Sequence, residues 1–226
     1  RSPIFETYSV VFARALEEGA SPAALDGPDL ARVLLGEAEG TTLSDLAVRD
    51  VTAKRFAYTV GDCCVFDWDA AFVLEPSGDR SVADVLEMAT AQLLEFRYYD
   101  ALFEGELLRM TALLRRPRAA TAWLFVGRYG RVARRLQEMV LETTEFVERV
   151  ENAVRVVGDL YLARLHRAAV ERFRIPAWEA GVLRRQRAAS EVATMLRDEA
   201  QAALGHALEA TIVALILLEI GLAFQR

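Results

Sequence analysis

The sequence is poor in the residues that most often carry chemistry at a protein site. Among its 226 residues it has two cysteines, two histidines and a single lysine, Lys54. Cys63 and Cys64 are adjacent in a run typical of a β-strand, where neighbouring side chains point to opposite faces of the sheet. We therefore expect two buried free thiols in a reducing compartment, and neither a disulfide nor a shared metal ion. His166 and His206 have no partner at the spacing of a metal site, so structural or exposed roles are expected for both.

Catalytic sequence motifs are absent as well. The sequence has no glycine-rich phosphate loop, no Gly-x-Ser-x-Gly and no His-Glu-x-x-His. No sequence motif therefore supports an enzymatic function, and no cofactor is expected. Asp67 and Asp69 would share one face of a predicted strand, and with Asp62 and Glu87 they could bind a hard divalent cation. A solvated strand face is the simpler interpretation, but a metal-dependent hydrolase stays open as an alternative.

Charge is distributed unevenly along the chain. Residues 1–106 contain 8 basic and 20 acidic residues, whereas residues 107–200 contain 18 and 11. The net charge of −6 argues against a dedicated nucleic-acid binder. The basic middle suits phosphates or anionic lipid headgroups, although neutralisation of the acidic part within one molecule or oligomer is the simpler interpretation.

The first 80 residues have the pattern of a small α+β domain. Residues 4–16 mix aromatic and β-branched side chains and predict a strand. Residues 29–35 predict a short helix begun by a Pro-Asp step, and residues 43–49 a second short helix or turn. Residues 54–74 predict two antiparallel strands that turn at residues 61–62. This region is interpreted as an α+β head.

From Ser81 the apolar period changes from two residues to about 3.5. Ser81 is predicted to be the N-cap of a long helix, with Asp84 in a capping-box position. That helix is expected to end at residues 115–117, and short breaks predict antiparallel neighbours. A third helix is expected to open at Trp178, after Pro176 breaks the second. Residues 81–205 are thus predicted to form a long antiparallel helical bundle or stalk.

The second helix has the longest regular seam. Apolar positions alternate in steps of four and three from Ala122 to Tyr161, the period of a left-handed coiled coil. At 1.5 Å per residue an unbroken helix would be roughly 60 Å long. Asn152 and Asp159, one and two positions from the seam, are interpreted as polar register-setters or surface residues.

A dense polar cluster occurs before this seam, on the first long helix. We interpret it as a partly buried group of ion pairs and hydrogen bonds that fixes this helix to the next one. Its members are Glu95, Arg97, Tyr98, Tyr99 and Asp100.

The C-terminal segment, residues 206–226, is strongly apolar. Residues 210–218 are uncharged, and their insertion into a membrane would be favourable by roughly 3 to 5 kcal/mol. Glu219 opposes insertion by roughly 3 kcal/mol if it lies near mid-membrane. Including Glu209 and the residues from 202 onward makes the segment long enough to span. A buried helix and a transmembrane helix whose Glu219 faces a sister helix are both compatible with this pattern.

Four sequence blocks resemble a known family. They are Val60-Gly-Asp-Cys-Cys-Val-Phe-Asp-Trp-Asp-Ala-Ala71, Leu86-Glu-Met-Ala-Thr-Ala-Gln-Leu-Leu-Glu-Phe-Arg-Tyr-Tyr-Asp100, Val150-Glu-Asn-Ala-Val-Arg-Val-Val-Gly-Asp-Leu-Tyr-Leu-Ala-Arg164 and Leu208-Glu-Ala-Thr-Ile-Val-Ala-Leu-Ile-Leu-Leu-Glu-Ile220. In order and spacing they resemble bacterial members of the "required for meiotic nuclear division" family, a domain of unknown function. The resemblance covers roughly residues 55–224.

The resemblance implies a C-terminal membrane helix after a helical region. Mitochondrial members sit at the inner membrane and support translation of proteins encoded there, so a partner in translation or membrane machinery is implied. The family provides no catalytic residues to transfer. It strengthens the transmembrane interpretation of Leu208-Glu209 and Glu219.

These observations together predict a non-enzymatic, membrane-anchored helical scaffold or assembly protein that forms homo-oligomers. The expected location is a bacterial inner membrane, or an organellar inner membrane in a eukaryote, with most of the chain on the reducing side. An oligomeric ion-conducting protein with the layout of CorA-type magnesium channels is an alternative, although the single apolar helix and the lack of a Gly-Met-Asn loop count against it.

Overall fold

The chain has an α+β fold, with a small N-terminal sheet, a mostly helical body and a long C-terminal apolar helix, as the sequence predicts. The computed structural model describes residues 5, 7–16, 25, 27–114, 126–156 and 159–224, without the side chains of 112–114, 126–129, 151–156, 200, 203 and 224. The elements in chain order are β1 (Ser9–Ala13), α1 (Pro28–Leu35), α2 (Asp45–Thr52), β2 (Arg55–Phe56), β3 (Cys63–Phe66), β4 (Ala70–Leu74), α3 (Ser81–Leu114), α4 (Val126–Val156), α5 (Leu160–Arg172) and α6 (Ile175–Phe224).

The chain divides into two compact units. One contains residues 1–98 and 149–180, and the other contains residues 99–148 and 181–226. The helices α3, α4 and α6 each contribute to both units.

The sheet of the first unit has the strand order β1-β4-β3-β2. Strand β1 is parallel to β4, and the other neighbours are antiparallel. The prediction of two strands in residues 54–74 is wrong, because three strands form there. Residues 63–74 fold into a hairpin in which Asp67 N donates to Ala70 O at 2.8 Å. Before it, Asp62 accepts hydrogen bonds from the N–H groups of Tyr58 and Thr59, which removes them from any ladder.

One face of this sheet is covered by α1 and α2. Helix α1 begins with Pro28, whose fixed φ suits the first helical position, and ends at Gly36 with φ 64°. These bounds confirm the predicted short helix, and α2 confirms the second. The buried side chains between the helices and the sheet are Leu30, Leu34, Val51, Cys63, Val65 and Leu74.

Helix α5 meets aromatic side chains of the same unit. The Phe173 ring, just after α5, lies 5.5 Å from the Tyr8 ring and 6.5 Å from the Phe66 ring. At the other end of α5, the Tyr161 ring lies 5.5 Å from that of Tyr58. Because Phe66 follows Val65 in β3, its side chain lies on the opposite face from the α1–α2 core.

The start of α3 differs in detail from the prediction. Asp79 Oδ1 accepts hydrogen bonds from Ser81 N at 3.1 Å and from Ser81 Oγ at 2.8 Å. Helix α3 begins at Ser81 itself, so the predicted N-cap role of Ser81 is wrong. The acceptor lies two residues earlier because the Pro-Ser-Gly-Asp turn brings the Asp79 carboxylate back over the first helical N–H. These hydrogen bonds lower the pKa of Asp79.

The seam on α4 is confirmed over its described side chains, since Ala133, Leu136 and Thr143 are buried and Val140 and Val147 are half-buried. The prediction of one unbroken helix from Ala122 to Tyr161 is wrong, and Ala122 itself lies outside the described residues. Helix α4 ends at Val156, and Asp159 has an extended backbone (φ −93°, ψ 122°). The apolar period continues across this break, so periodicity alone could not reveal it.

The last helix is longer than predicted. Helix α6 runs from Ile175 to Phe224 and joins the predicted third helix to the C-terminal apolar segment. Pro176 lies in its first turn, where the missing N–H costs nothing. Proline therefore starts this helix, and the expected opening at Trp178 comes three residues too late.

Within the second unit, α3 and α4 are antiparallel, as predicted. The ring of Tyr99 stacks on Phe146 at 5.4 Å, and further along α3 Glu106 pairs with Arg135, which precedes Phe146 on α4. Helix α6 runs in the same direction as α3, because Gly181 lies beside Asp100 and, one turn later, Arg185 Nη2 lies 4.0 Å from Glu104 Oε2.

Candidate functional site

The C-terminal half of α6 is the most unusual surface of the described chain. Leu196 is the last fully buried side chain on this helix. Beyond it, large apolar side chains are exposed in every direction, because successive helical residues are rotated by about 100°. They are Leu204, Leu208, Ile212, Val213, Leu215, Ile216, Leu217, Leu218, Ile220 and Leu222.

An apolar surface on all sides points to a different environment from an apolar stripe. A stripe suits one partner helix, whereas a helix that is apolar all round is typical of a protein core or a membrane. Within the described residues this is the one helix long and apolar enough to cross a membrane, and its most apolar window has no buried share. A soluble core helix would be mostly buried.

The charges on this segment lie away from its centre. Residues 202–224 would be about 34 Å long as a helix, against about 30 Å for a hydrocarbon core. Glu209 and Glu219 would each lie about 8–10 Å from an end of that span, and the residues between them are uncharged. His206 Nδ1 lies 3.5 Å from Glu209 Oε2, so these two polar groups can satisfy each other. The cost of each charge is smaller there than at mid-membrane.

The second feature is a buried carboxylate in the first unit. Asp67, in the turn between β3 and β4, is 4% exposed and accepts a hydrogen bond from Arg172 Nε at 2.6 Å. Arg172 Nη2 lies 3.7 Å from Asp50 Oδ2 on α2. The hydrogen bond to Asp67 is the main reason that the pKa of Arg172 is raised. Because one arginine joins α5 to a β-turn and to α2, this cluster has the form of a structural clamp.

Aromatic side chains lie beside the Asp67–Arg172 ion pair. Tyr8 Oη donates to the carbonyl oxygen of Asp67 at 3.2 Å, and burial raises the pKa of Tyr8. The ring of Trp68 lies 6.2 Å from that of Phe173. A phenol with a raised pKa is a poor general base at neutral pH, so the arrangement suits packing better than proton transfer.

The predicted acidic site is not assembled as expected. Asp67 and Asp69 lie in a turn, because β3 ends at Phe66, so the prediction that they share a strand face is wrong. Asp62 bonds backbone N–H groups at the other end of β3, and Asp69 and Glu87 are exposed. Among the residues that the structure describes, no group of three or more His, Cys, Asp or Glu side chains is placed to hold a metal ion.

The polar cluster on α3 divides between the two units. In the first, Arg97 lies 5.5 Å from the centre of the Trp178 ring, and Tyr98 is about half exposed. Desolvation raises the pKa of Glu95, and the charge of Arg149 opposes that shift.

In the second unit, the remaining cluster residues contact α4 and α6. Tyr99 stacks on Phe146, and Asp100 forms an ion pair with Arg185. A Cβ added at Gly181 of α6 would lie 3.7 Å from Asp100 Oδ1, an ordinary van der Waals contact.

Two further predicted positions have clear outcomes. Asp159 is the N-cap of α5, and its Oδ1 accepts from Tyr161 N at 2.6 Å and from Leu162 N at 3.3 Å. The side chain of Asn152 lies outside the described residues. Sequence reasoning missed Arg172, Tyr8 and the orphaned Nε2 of buried His166, which has no hydrogen-bond partner. No local signal marks Arg172, since it is one of many arginines and its partner lies 105 residues away.

The fold and these features define a class: a small α+β domain followed by a helical body, with one helix able to span a membrane. Residues 1–80 match the family described as the N-terminal domain of the uncharacterized protein MJ0711. The match ends one residue before α3.

The full protein of that name, uncharacterized protein MJ0711 of Methanocaldococcus jannaschii, is 26% identical to this chain over 183 residues. The alignment covers 79% of the chain and 54% of the relative, so the chain spans about half of that relative's length. No solved structure matches the chain.

Proposed function

We propose that this protein is a non-enzymatic, membrane-anchored scaffold whose anchor is the C-terminal half of α6. The observation that supports this most directly is that residues 202–224 are helical and apolar on all sides, with Ala207 alone half-buried among the described side chains. Exposing that surface to water would be costly, at about 25 cal/mol per Å² of apolar area.

The anchor is tested by fractionating cells that express the full chain, with an alkaline wash of the membranes. The wild type is expected to stay in the membrane pellet until detergent is added. Leu215→Asp with Leu217→Asp adds two charges near mid-span, each unfavourable by about 3 kcal/mol, and is expected to release the protein.

Leu141→Asp is the matched control. Leu141, on α4, is 63% exposed, as Leu217 is at 64%, but it lies on a surface with charged neighbours. This variant should stay in the membrane. A wild-type chain that remains in the soluble fraction without detergent would refute the anchor.

We further propose self-association through the membrane segment. The described part of the α4 seam is buried or half-buried, which leaves the apolar segment of α6 as the surface for a second copy. Glu219 gives a physical motive, because a carboxylate in a span is stabilised by a polar partner on a sister helix. Native mass measurement in mild detergent should detect an oligomer, and only monomer at all concentrations would contradict this.

The proposal that its partners belong to the translation or membrane machinery rests on the family resemblance alone. If the chain shares the role of the mitochondrial members, components of the translation or membrane machinery should be recovered with it after cross-linking in cells. The Leu215→Asp, Leu217→Asp variant provides the control, because partners met at the membrane should be lost with the anchor. Recovery of the same partners from both proteins would argue against an encounter at the membrane.

A further inference from the structure

A run of arginines in the sequence spans the end of α3 and the start of α4. Residues 107–137 contain eight arginines and no acidic residue. Four of these arginines have described side chains, and all four are exposed. We call them the hairpin arginines: Arg109 on α3 and Arg131, Arg134 and Arg135 on α4.

We propose that the hairpin arginines bind anionic lipid headgroups at the membrane surface where α6 enters the bilayer. This inference rests on the proposed insertion of α6. It adds a lipid class and a second, electrostatic contact to the anchor.

Helix register places these arginines beside the start of the apolar segment. Thr144 Oγ1 on α4 lies 2.9 Å from Gln186 Nε2 on α6, so these two residues are level. Helix α4 runs opposite to α6, and each residue adds about 1.5 Å along either axis. At equal distances from this pair along the two helices, Arg134 is level with Leu196, and Arg131 is level with Glu199. The apolar segment begins at Ala202, about 5 Å further on.

Burial marks the same end of the helical unit. Leu196 is the last fully buried residue on α6, and Ala133 is the first buried residue on the described part of α4. Met110 is the last buried residue on the described part of α3. Arg109, Arg131 and Arg134 therefore flank the point where α6 leaves its neighbours.

Helix α6 does not bring its own positive charge to this level. Residues 197–209 contain one arginine and three acidic residues. Transmembrane helices are commonly flanked by cations on the side that faces anionic lipid. Here the hairpin arginines supply positive charge from neighbouring helices.

A buried carboxylate positions part of this group. Glu106, 7% exposed, lies 2.8 Å from Arg109 Nη1 and 3.5 Å from Arg135 Nη2. Both arginine side chains are still about 60% exposed. A guanidinium has five N–H donors, so each can bond Glu106 with one edge and present the other to a phosphate oxygen. Headgroup phosphates accept such paired hydrogen bonds well.

Lipid is favoured over nucleic acid by position. Arginines bind RNA phosphates with the same chemistry, but nothing in RNA binding would require them beside the first residues of an apolar helix. The net charge of −6 also disfavours a general nucleic-acid surface.

The test measures transfer of the full chain from dilute detergent into vesicles of phosphatidylcholine alone and vesicles with 30 mol% phosphatidylglycerol. A basic residue near an anionic surface changes partitioning by roughly fivefold. The wild type should therefore prefer anionic vesicles at low salt, and the preference should fall at high salt because surface charges are screened. Arg131→Gln with Arg134→Gln should reduce the preference by roughly 25-fold at most, with unchanged insertion into neutral vesicles.

The control is Arg184→Gln with Arg187→Gln. These arginines are exposed on α6 in the same unit, roughly 18 Å further from the apolar segment by helical rise. The control removes the same net charge and should keep most of the lipid preference. Circular dichroism checks that both variants keep their helix content.

The outcomes separate the two proposals. Failure to insert into either vesicle refutes the anchor and this inference with it. Equal insertion into both vesicles refutes the headgroup contact and leaves the anchor intact. An equal loss in both variants shows a general charge effect and overturns the site. Binding of a 20-nucleotide RNA that is lost in the Arg131 variant, without a lipid preference, would assign the arginines to RNA.

Discussion

Arg172 Nε and Asp67 Oδ1 lie 2.6 Å apart and join the end of α5 to the turn between β3 and β4. The Asp67 side chain is 4% exposed and the Arg172 side chain 28%. One ion pair thus joins two parts of the first unit that are 105 residues apart in sequence.

Loss of Arg172 is expected to destabilise the protein more than loss of both partners. Arg172→Met leaves the buried Asp67 charge with only the Trp68 N–H at 2.7 Å, so the free energy of unfolding should fall by about 2–4 kcal/mol. Asp67→Asn with Arg172→Met should recover about 1 kcal/mol or more of that loss. Denaturant unfolding in detergent compares the wild type, Arg172→Met, Asp67→Asn and the double variant. Arg167→Met, at an exposed position on α5, is the control, and additive losses at Asp67 and Arg172 would disprove the coupling.

Asp159 is expected to contribute as a helix cap. Asp159→Ala removes the acceptor of the Tyr161 and Leu162 N–H groups, so unfolding should become easier by about 1 kcal/mol. Asp159→Asn keeps an acceptor and should cost only a few tenths of that amount. If thermal or denaturant unfolding gives equal losses for both variants, the side-chain charge and not the cap would be responsible.

His166 is expected to make stability fall in mild acid. Burial lowers the pKa of His166, and its Nε2 has no hydrogen-bond partner. The unfolded chain therefore binds a proton more readily than the folded one. The free energy of unfolding should therefore decrease as the pH falls below the ordinary histidine pKa of about 6.5, and the decrease should stop below the lowered pKa of the folded state. The slope should be at most about 1.4 kcal/mol per pH unit.

The comparison that isolates this histidine is the pH dependence of unfolding in His166→Leu and His206→Leu. His166→Leu should flatten the profile between pH 7 and pH 5. His206 has an 82% exposed side chain, so its replacement should leave the slope close to that of the wild type. Identical profiles for the wild type and His166→Leu would exclude the effect.

The two cysteines are expected to be unreactive in the native protein. Cys63 and Cys64 are 5% and 1% exposed, and burial raises the pKa of both thiols. Since the thiolate is the reactive form, maleimide labelling at pH 7 should be slow in the folded protein and complete after unfolding. Mass spectrometry counts the labels, and rapid modification of either thiol before unfolding would contradict the buried placement.

Local patterns predicted much of the fold. The Pro-Asp step located α1. The α4 seam identified the buried Ala133, Leu136 and Thr143, but not the buried Met139 and Phe146. The length and composition of the last segment identified an apolar helix able to span a membrane. The misplaced boundaries have local causes too: Asp67 begins a turn within an apparently continuous strand, and Asp159 caps a new helix within an apparently continuous seam.

The candidate sites were less predictable. Asp62 accepts hydrogen bonds from a backbone turn, and Asp67 accepts one from Arg172. The spacing of carboxylates in the sequence does not reveal these partners. The hairpin arginines were visible only as an excess of charge. Their level beside the start of the apolar segment depends on the register between α4 and α6, set by contacts such as Thr144 with Gln186.

The sequence by itself determined the approximate positions of most helices and which of their faces are apolar, because both depend on residues a few positions apart. The tertiary structure decided the rest: β1 pairs in parallel with β4 across more than 50 intervening residues, and Arg172 neutralises Asp67. Such contacts are selected by burial and charge among many arginines and strands of similar composition. No pattern within a single segment can indicate which of them will meet.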